Sequence, residues 1–204
     1  MRDVSPRREQ SSRPTRPFLI IWTGQSVSLL GSALVQFAII WWLTVTTESA
    51  TVLALASMVG LLPAVFIGPV AGTLVDRWRR RLVLLGADSI VAMATVILAM
   101  LFVFDVVEIW HVFLLLFVRA AAGAFHWPAM QASTTLMVPP EQLTRVGGMN
   151  QILMGLTNIV IPPLGALAVA ILPMSGILFI DIATALPAIV SLFFIPIPQP
   201  DSAA

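Results

Sequence analysis

The sequence predicts an all-α membrane protein with six transmembrane helices. Of its 204 residues, 58% are hydrophobic and only 10% are charged, whereas a soluble domain carries about 25% charged residues. So few charges cannot cover a surface that faces water, which excludes ordinary soluble enzymes and nucleic-acid binding proteins. Because the chain has no Cys, it can form neither a disulfide framework nor a thiolate metal site.

The first two predicted helices are runs without any formal charge. One run lies between Arg16 and Glu48, and the other lies between Glu48 and Asp76. A helix needs about 20 apolar residues to cross about 30 Å of hydrocarbon. Each run is therefore long enough for one crossing.

The remaining predicted helices contain only three charges. The third and fourth runs contain Asp88 and Arg119, respectively, and the long last run contains Asp181. The last run is long enough for two crossings, and a breaker cluster of Pro, Ser and Gly at residues 173–176 separates them. The predicted spans cover residues 18–46, 51–74, 82–104, 109–137, 147–172 and 176–196.

The placement of arginine predicts the orientation in the membrane, because basic residues in short loops stay on the cytoplasmic side. All basic residues except Arg119 lie in the N-terminal tail, the second loop or the fourth loop, and the loops between them have none. We therefore expect a multi-pass protein of the cell membrane with both termini in the cytoplasm. The arginines on that side are Arg2, Arg7, Arg8, Arg13, Arg16, Arg77, Arg79, Arg80, Arg81 and Arg145.

Three regions follow from these patterns. Residues 1–17 are predicted to be a disordered basic tail that meets anionic lipid headgroups rather than nucleic acid. Residues 18–196 form the transmembrane domain, and residues 197–204 form a cytoplasmic C-terminal end.

Two charges inside the predicted spans are candidates for function, since a charge in hydrocarbon costs about 2.5–3.5 kcal/mol on insertion scales. Arg119 lies about 16 Å along its helix from Glu108, at about 1.5 Å per residue, which is close to the bilayer midplane. Asp181 could approach it if the fourth and sixth helices are neighbours. The two residues form either a static ion pair that locks the bundle or a pair that titrates or binds substrate.

Other polar residues in the spans are weaker candidates. Asp88 lies two turns past Arg81 on the same helical face, which predicts a gating or orienting contact with the arginines of the second loop. Gln25, near the middle of the first helix, needs a partner across helices and lines a pathway or holds the bundle together. His126, just before the proline kink at Pro128, is predicted to be a hydrogen-bonded packing residue.

Glycine and proline recur at corresponding places in the two halves of the chain. This correspondence indicates an inverted three-plus-three repeat, which is common in secondary transporters. The two sets are Gly60, Pro63, Gly68, Pro69 and Gly72 in the second span, and Gly155, Pro162, Pro163 and Gly165 in the fifth.

A motif follows the second span. Residues 72–81 read Gly-Thr-Leu-Val-Asp-Arg-Trp-Arg-Arg-Arg, which resembles the GxLxDRxGRR signature of the major facilitator superfamily, with Arg79 in place of the second glycine. The run Arg119-Ala-Ala-Ala-Gly123 is similar to the RxxxG element that this family associates with proton coupling. The segments 21–28, 36–44, 86–88, 124–129 and 138–144 resemble the macrolide-efflux branch.

The resemblance covers nearly the whole chain from about Phe18 and implies half of a major facilitator fold. It implies the N-terminal half of a proton-coupled secondary transporter that exports a hydrophobic drug-like or siderophore-like compound by alternating access. A second six-helix half, as a separate chain or a second copy, is the implied partner. Arg119, Asp181 and Gln25 are then expected to serve proton coupling or substrate binding. The expected cytoplasmic gate consists of Gly72, Asp76, Arg77, Arg80, Arg81 and Asp88.

Two other classes of function remain open. The chain could be a truncated, transport-inactive membrane remnant or a membrane interaction partner. An enzyme is disfavoured, because no HExxH, paired-cysteine or Ser/His/Asp arrangement is present and the two histidines, His111 and His126, are isolated. We therefore predict no cofactor.

Overall fold

The computed structural model of the chain describes residues 16–197, which form helices and no strand. A short 3₁₀ helix, Pro140–Gln142, precedes the fifth α-helix. The predicted basic tail before residue 16 and the predicted C-terminal end after residue 197 lie outside the described residues. The α-helices are α1 Arg16–Thr47, α2 Ala50–Arg77, α3 Arg80–Val103, α4 Ile109–Met137, α5 Leu143–Ile159, α6 Ile161–Ile171 and α7 Met174–Phe194.

The helices account for the six predicted spans. Five of them, α1 to α4 and α7, are each long and apolar enough to cross a membrane. The bent pair of α5 and α6 supplies a sixth crossing when it is counted as one span. The prediction of an all-α membrane fold is therefore confirmed.

The fifth span, predicted over residues 147–172, consists of two helices. α5 begins at Leu143, and the chain bends by 43° between α5 and α6. Pro162 and Pro163, at the start of α6, explain the break. Proline has no amide hydrogen, and its ring clashes with the carbonyl group four residues earlier. The span is therefore present but bent at its prolines.

Side chains fix the starts of α2 and α4. The Ser49 hydroxyl accepts a hydrogen bond from the amide of Val52 at 3.4 Å, which satisfies one of the free amides at the start of α2. At α4, Glu108 and His111 form a reciprocal capping box, in which the Glu108 amide donates to His111 Nδ1 at 3.0 Å. These polar turns lie between the apolar spans.

Four helices, α1, α3, α4 and α7, form the centre of the bundle. α1 packs against α7, α3 packs against both α4 and α7, α2 packs on α4 and α6 packs on α1. When the first three spans are matched in order with the last three, α1 corresponds to α4, α2 to the α5–α6 pair, and α3 to α7. The α1–α7 contact then corresponds to the α4–α3 contact, and the α2–α4 contact corresponds to the α6–α1 contact. This pairing is the one that an inverted repeat requires. The largest buried apolar side chains of the shared core are Ile39, Leu43, Leu98, Leu116, Ile177 and Leu178.

α2 and the α5–α6 pair lie at the periphery. In the most apolar window of α2 only 11% of the residues are buried, compared with 44% in α3. Large apolar side chains are exposed on both α2 and α5, and they include Leu61, Val65, Phe66, Ile152 and Ile159. These faces require lipid or another protein to cover them, because they cannot face water at low cost.

The close approach of α1 to α7 depends on Gly24. A Cβ atom at this position would lie 3.3 Å from both the Ala188 Cα and the Pro187 carbonyl oxygen, and these backbone atoms cannot rotate away. We expect Gly24→Val to lower the free energy of unfolding by about 1–3 kcal/mol, the usual cost of overpacking. Denaturant titration of the purified chain in micelles measures this cost.

The matched control is Gly86→Val on α3, because a Cβ at Gly86 meets nothing within 4 Å. Both variants pay the same helix-propensity cost, so the difference between them reports packing. Equal losses of stability in the two variants would contradict the proposed dependence on close helix approach.

Candidate functional site

An ion pair between α4 and α7 lies inside the bundle. Arg119 Nη1 is 2.8 Å from Asp181 Oδ2, and the two side chains are 6% and 2% exposed. Thr95 on α3 donates a hydrogen bond to Asp181 Oδ2 at 3.0 Å and accepts one from Arg119. Ser32 on α1 donates to Asp181 Oδ1 at 2.8 Å. These four residues, called here the ion-pair layer, connect all four central helices.

A second polar cluster joins α1, α3 and α4. Gln25 Nε2 donates to Asp88 Oδ2 at 2.7 Å, and His126 Nε2 lies 2.7 Å from Gln25 Oε1. His126 Nε2 also lies 3.3 Å from Asp88 Oδ1. Gln25 and Asp88 are buried and His126 is partly buried. We call Gln25, Asp88 and His126 the Asp88 layer.

The two layers are connected by helix geometry. Each of α1, α3 and α4 contributes one residue to each layer, and the two residues are always seven positions apart. Seven residues are about two turns, so both side chains point from the same face, about 10.5 Å apart. The pairs are Gln25 and Ser32 on α1, Asp88 and Thr95 on α3, and His126 and Arg119 on α4.

Both layers contribute to the wall of one cavity of about 300 Å³. Its apolar wall includes Ala33, Val91 and the half-exposed ring of Trp127. A cavity with mostly apolar walls and a few polar groups is suited to a small organic molecule. The polar side chains that line it are Gln25, Ser28, Ser32, Gln36, Asp88, Arg119 and His126.

The predicted contact of Asp88 with the arginines of the second loop is not formed within residues 16–197, so that prediction was wrong. Asp88 bonds instead to Gln25 and His126. The nearby arginines are directed elsewhere. Arg80 donates to a backbone carbonyl of α4, and Arg81 donates to carbonyls of α7.

Sequence reasoning missed part of this site. His126 is hydrogen-bonded, as expected for a packing residue, but it also contacts a carboxylate and lines the cavity. Ser32 and Thr95 were not recognised as partners of the ion pair. The missed residues Ser32, Thr95 and His126 each lie seven positions from a predicted candidate on the same helix, namely Gln25, Asp88 and Arg119, respectively. This spacing places each pair on one helical face, so it would have indicated the missed residues.

The segment Gly72–Arg81 links helices at one end of the bundle. Arg80 Nη2 lies 3.9 Å from Asp76 Oδ1, and its Nη1 donates to the Ala132 carbonyl on α4 at 2.8 Å. Arg81 uses two nitrogens to donate to the last carbonyls of α7, at Leu192 and Phe193, at 2.5 Å each. Carbonyls at the end of a helix have no partner within the helix, so a guanidinium group satisfies them well.

Two other charged residues of this segment face outward. Asp76 is largely exposed and Arg77 is exposed. A Cβ at Gly72 would meet nothing within 4 Å, so no described residue approaches this glycine closely. No group of three His, Cys, Asp or Glu side chains within residues 16–197 is arranged to hold a metal ion.

Apolar spans, buried charges that are paired across helices and a cavity between those helices with a few polar groups in its wall define a multi-pass α-helical membrane protein. A comparison with protein families identifies its kind. Residues 21–204 match the model of the Major Facilitator Superfamily, and the chain therefore belongs to this superfamily of transporters.

Two relatives of the chain are named as efflux proteins. The chain is 41% identical to macrolide efflux protein A of Streptococcus pyogenes over 182 residues, which is 89% of this chain and 45% of that protein. It is 38% identical to macrolide efflux protein A of Enterococcus faecalis over 74% of this chain and 46% of that protein. The chain thus spans about half the length of these relatives. No solved structure matches it significantly.

The buried ion pair gives a test of stability. We expect Asp181→Leu to lower the free energy of unfolding by about 3–5 kcal/mol, because it leaves Arg119 charged and unpaired in an apolar interior. The double variant Arg119→Met with Asp181→Leu is expected to regain most of that loss, since apolar replacement of a whole ion pair is often nearly neutral. A double-mutant cycle in micelles measures both values. A double variant as unstable as the sum of the two single variants would refute the coupling.

Proposed function

We propose that this chain is the N-terminal half of a proton-coupled secondary transporter that exports a hydrophobic drug-like or siderophore-like compound. The observation that carries this proposal is the Arg119–Asp181 ion pair at the wall of a cavity of organic-molecule size. Membership of a transporter superfamily supports it. The name of the relatives makes a macrolide the first substrate to test.

Arg119 would be the coupling residue, with Asp181 as its partner. An arginine keeps its charge at all accessible pH values, so the strength of its pairing changes when the charge of its surroundings changes. Protons or a substrate that alter the charge in the cavity would therefore alter the link between α4 and α7. Gln25, which lines the cavity, would contact the substrate or the coupling machinery.

The segment Gly72–Arg81 would act as the cytoplasmic gate, and α3, which begins at Arg80 and carries Asp88 two turns further on, would connect it to the cavity. The two hydrogen bonds from Arg81 to the end of α7 and the contact of Arg80 with Asp76 hold one arrangement of the helix ends. Gly72, Asp76 and Arg77 face open space, where the second half could approach. Breaking these contacts would accompany the change between alternating states.

The second six-helix half would cover the apolar faces of α2, α5 and α6. Major facilitator transporters place the substrate site between two halves at the midplane, and this chain spans about half the length of its relatives. The second half would be a separate chain or a second copy of this one, and lipid would cover the remaining surface. Protons and a hydrophobic small molecule complete the set of partners.

Transport measurements with Arg119→Ala test the coupling role. We expect everted vesicles that contain this chain and a supplied second half to take up a labelled macrolide when an inward-acidic pH gradient is imposed. Arg119→Ala should abolish this uptake while the protein level stays the same. Arg145→Ala, which removes an exposed arginine at the start of α5, is the matched control and should transport normally.

Undiminished uptake by a well-expressed Arg119→Ala variant would refute the coupling role. Vesicles without the supplied half show whether two copies of this chain suffice. If no second half supports uptake of any tested compound, the alternative of a transport-inactive membrane remnant or interaction partner is favoured, which the half-length match also fits.

The orientation can be tested directly because the chain has no native cysteine. We propose that the protein lies in the cell membrane with both termini in the cytoplasm, as the positions of its arginines predict. An impermeant maleimide added to intact cells should then label Asp105→Cys in the α3–α4 turn but not Arg79→Cys. Permeabilised cells should label both, which controls for reactivity. Labelling of Arg79→Cys in intact cells would reverse the orientation.

A further inference from the structure

A second cavity lies at the end of the bundle opposite the segment Gly72–Arg81. It measures about 710 Å³ and lies between the end of α1 and the start of α4. The start of α4 is about 16 Å along the helix from Arg119, at about 1.5 Å per residue, so this cavity is separate from the one that both polar layers line. Its wall contains three aromatic rings and one charged side chain. The rings belong to Trp42, Trp110 and Phe113, and the charge belongs to Glu108.

Neutral contacts hold the carboxylate and one of the rings in place. The Trp110 indole nitrogen donates a hydrogen bond to Glu108 Oε2 at 2.6 Å. Trp42 packs edge-on against Phe102, with 5.2 Å between the ring centroids. Because Trp110 is uncharged, its hydrogen bond orients the Glu108 carboxylate without neutralising it. The side chain of Glu108 is exposed, so a ligand can reach it from solvent.

The chain supplies no counter-charge to Glu108. The charged residues in the turns at this end are Glu48, Asp105 and Glu108, and all three are acidic. The arginines of the loops lie at the opposite end, and Arg119 has its own partner inside the bundle. His111 Nδ1 accepts a hydrogen bond from the Glu108 amide at 3.0 Å, so this nitrogen carries no proton and the ring is neutral. This end of the bundle is therefore complementary to a cation.

The wall of the cavity favours an organic cation over other ligands. Aromatic rings attract ammonium groups through their quadrupoles, and the carboxylate adds a full charge. A single carboxylate among rings offers too few oxygen ligands for a calcium or magnesium ion. A zwitterionic lipid headgroup would bring its phosphate close to three acidic residues with no arginine to receive it. A free amine with apolar substituents and no anionic group fits best.

We propose that Trp42, Glu108, Trp110 and Phe113 form a binding site for the ammonium group of a free organic cation. Glu108 pairs with the positive charge, and the rings contact the apolar substituents. In the orientation proposed above, this site faces the outside of the cell. The inference goes beyond the proposed export, because binding at this end requires neither a second half nor a proton gradient.

Equilibrium binding of three benzyl compounds of similar size tests the preference for positive charge. The compounds are benzyltrimethylammonium, the neutral N-benzylacetamide and the anionic phenylmethanesulfonate. Each is titrated calorimetrically into the purified chain in maltoside micelles, which are uncharged, with empty micelles as the blank. We expect saturable binding of the cation, at least about fivefold weaker binding of the neutral compound, and no binding of the anion.

Two pairs of variants locate the bound cation. Glu108→Gln should weaken its binding by at least about fivefold. Asp105→Asn is the matched control, because it removes a carboxylate of the same turn that does not line the cavity, and asparagine tolerates the positive φ of 54° at this position. Trp42→Leu should weaken binding by about threefold or more. Trp41→Leu removes the adjacent ring, which is not in the cavity wall. Both controls should bind the cation as tightly as the unmodified chain.

A protection measurement does not depend on the folding of these variants. Thr46 is exposed and lines the cavity, whereas Ala50 is exposed outside it. Since the chain has no native cysteine, a maleimide reports on Thr46→Cys or Ala50→Cys alone. Benzyltrimethylammonium should slow the reaction of Thr46→Cys and leave that of Ala50→Cys unchanged.

Nanodiscs that contain phosphatidylethanolamine distinguish a free cation from a lipid headgroup. The probe should bind there as tightly as in micelles. Loss of binding in these nanodiscs would show that the lipid occupies the site and would overturn the assignment to a free cation. Three further results would also overturn the proposal: equal binding of the neutral and cationic compounds, full affinity in a folded Glu108→Gln variant, or no protection of Thr46→Cys.

Discussion

The need to pair charges inside hydrocarbon constrains this structure more than any other factor. An unpaired charge at the middle of a membrane span costs about 2.5–3.5 kcal/mol on insertion scales. Of the ionisable side chains well inside the spans, Arg119 and Asp181 satisfy each other, and Asp88 meets Gln25 and His126. These contacts decide which helices are neighbours. They hold α4 beside α3 and tie α4 across the bundle to α7, whose main packing partners are α1 and α3.

The same constraint explains where function can reside. Most contacts within the bundle are apolar, but lipid tails can contact apolar side chains equally well. Small residues and polar contacts therefore give helix association its specificity. Gly24 lets α1 approach the backbone of α7, and α1 contributes a residue to each of the two polar layers. The cavity is therefore found where the polar groups are, and the peripheral helices carry the faces that need another partner.

The sequence predicted the spans and the two central charges well, because charge-free runs and the cost of burying charge are local properties. It did not predict the break at Val160, although Pro162 and Pro163 were recognised, because prolines also occur in continuous bent helices. It placed Asp88 with the arginines of the second loop on the basis of a shared helical face. A shared face shows which residues of one helix lie near each other. It cannot show that Gln25 on α1 and His126 on α4 contact Asp88 on α3. Partners across helices became visible only when the helices were assembled.

The polar layers also determine which parts of the fold are free to move. α1, α3 and α4 each contribute to both layers, so a tilt of any one of these three helices would break contacts about 10.5 Å apart at the same time. α7 is held in the ion-pair layer through Asp181. Among the described side chains, α2 has a polar link to another helix through Asp76 and Arg80 at its end, in addition to its apolar packing on α4. α5 is linked through the hydrogen bond from Trp22 to Asn150, at 2.8 Å. α2 contains Pro63 and Pro69, and the α5–α6 span is already broken. As far as polar contacts set the cost, conformational change in this half therefore costs least at α2 and α5–α6, while the two layers hold the four central helices together.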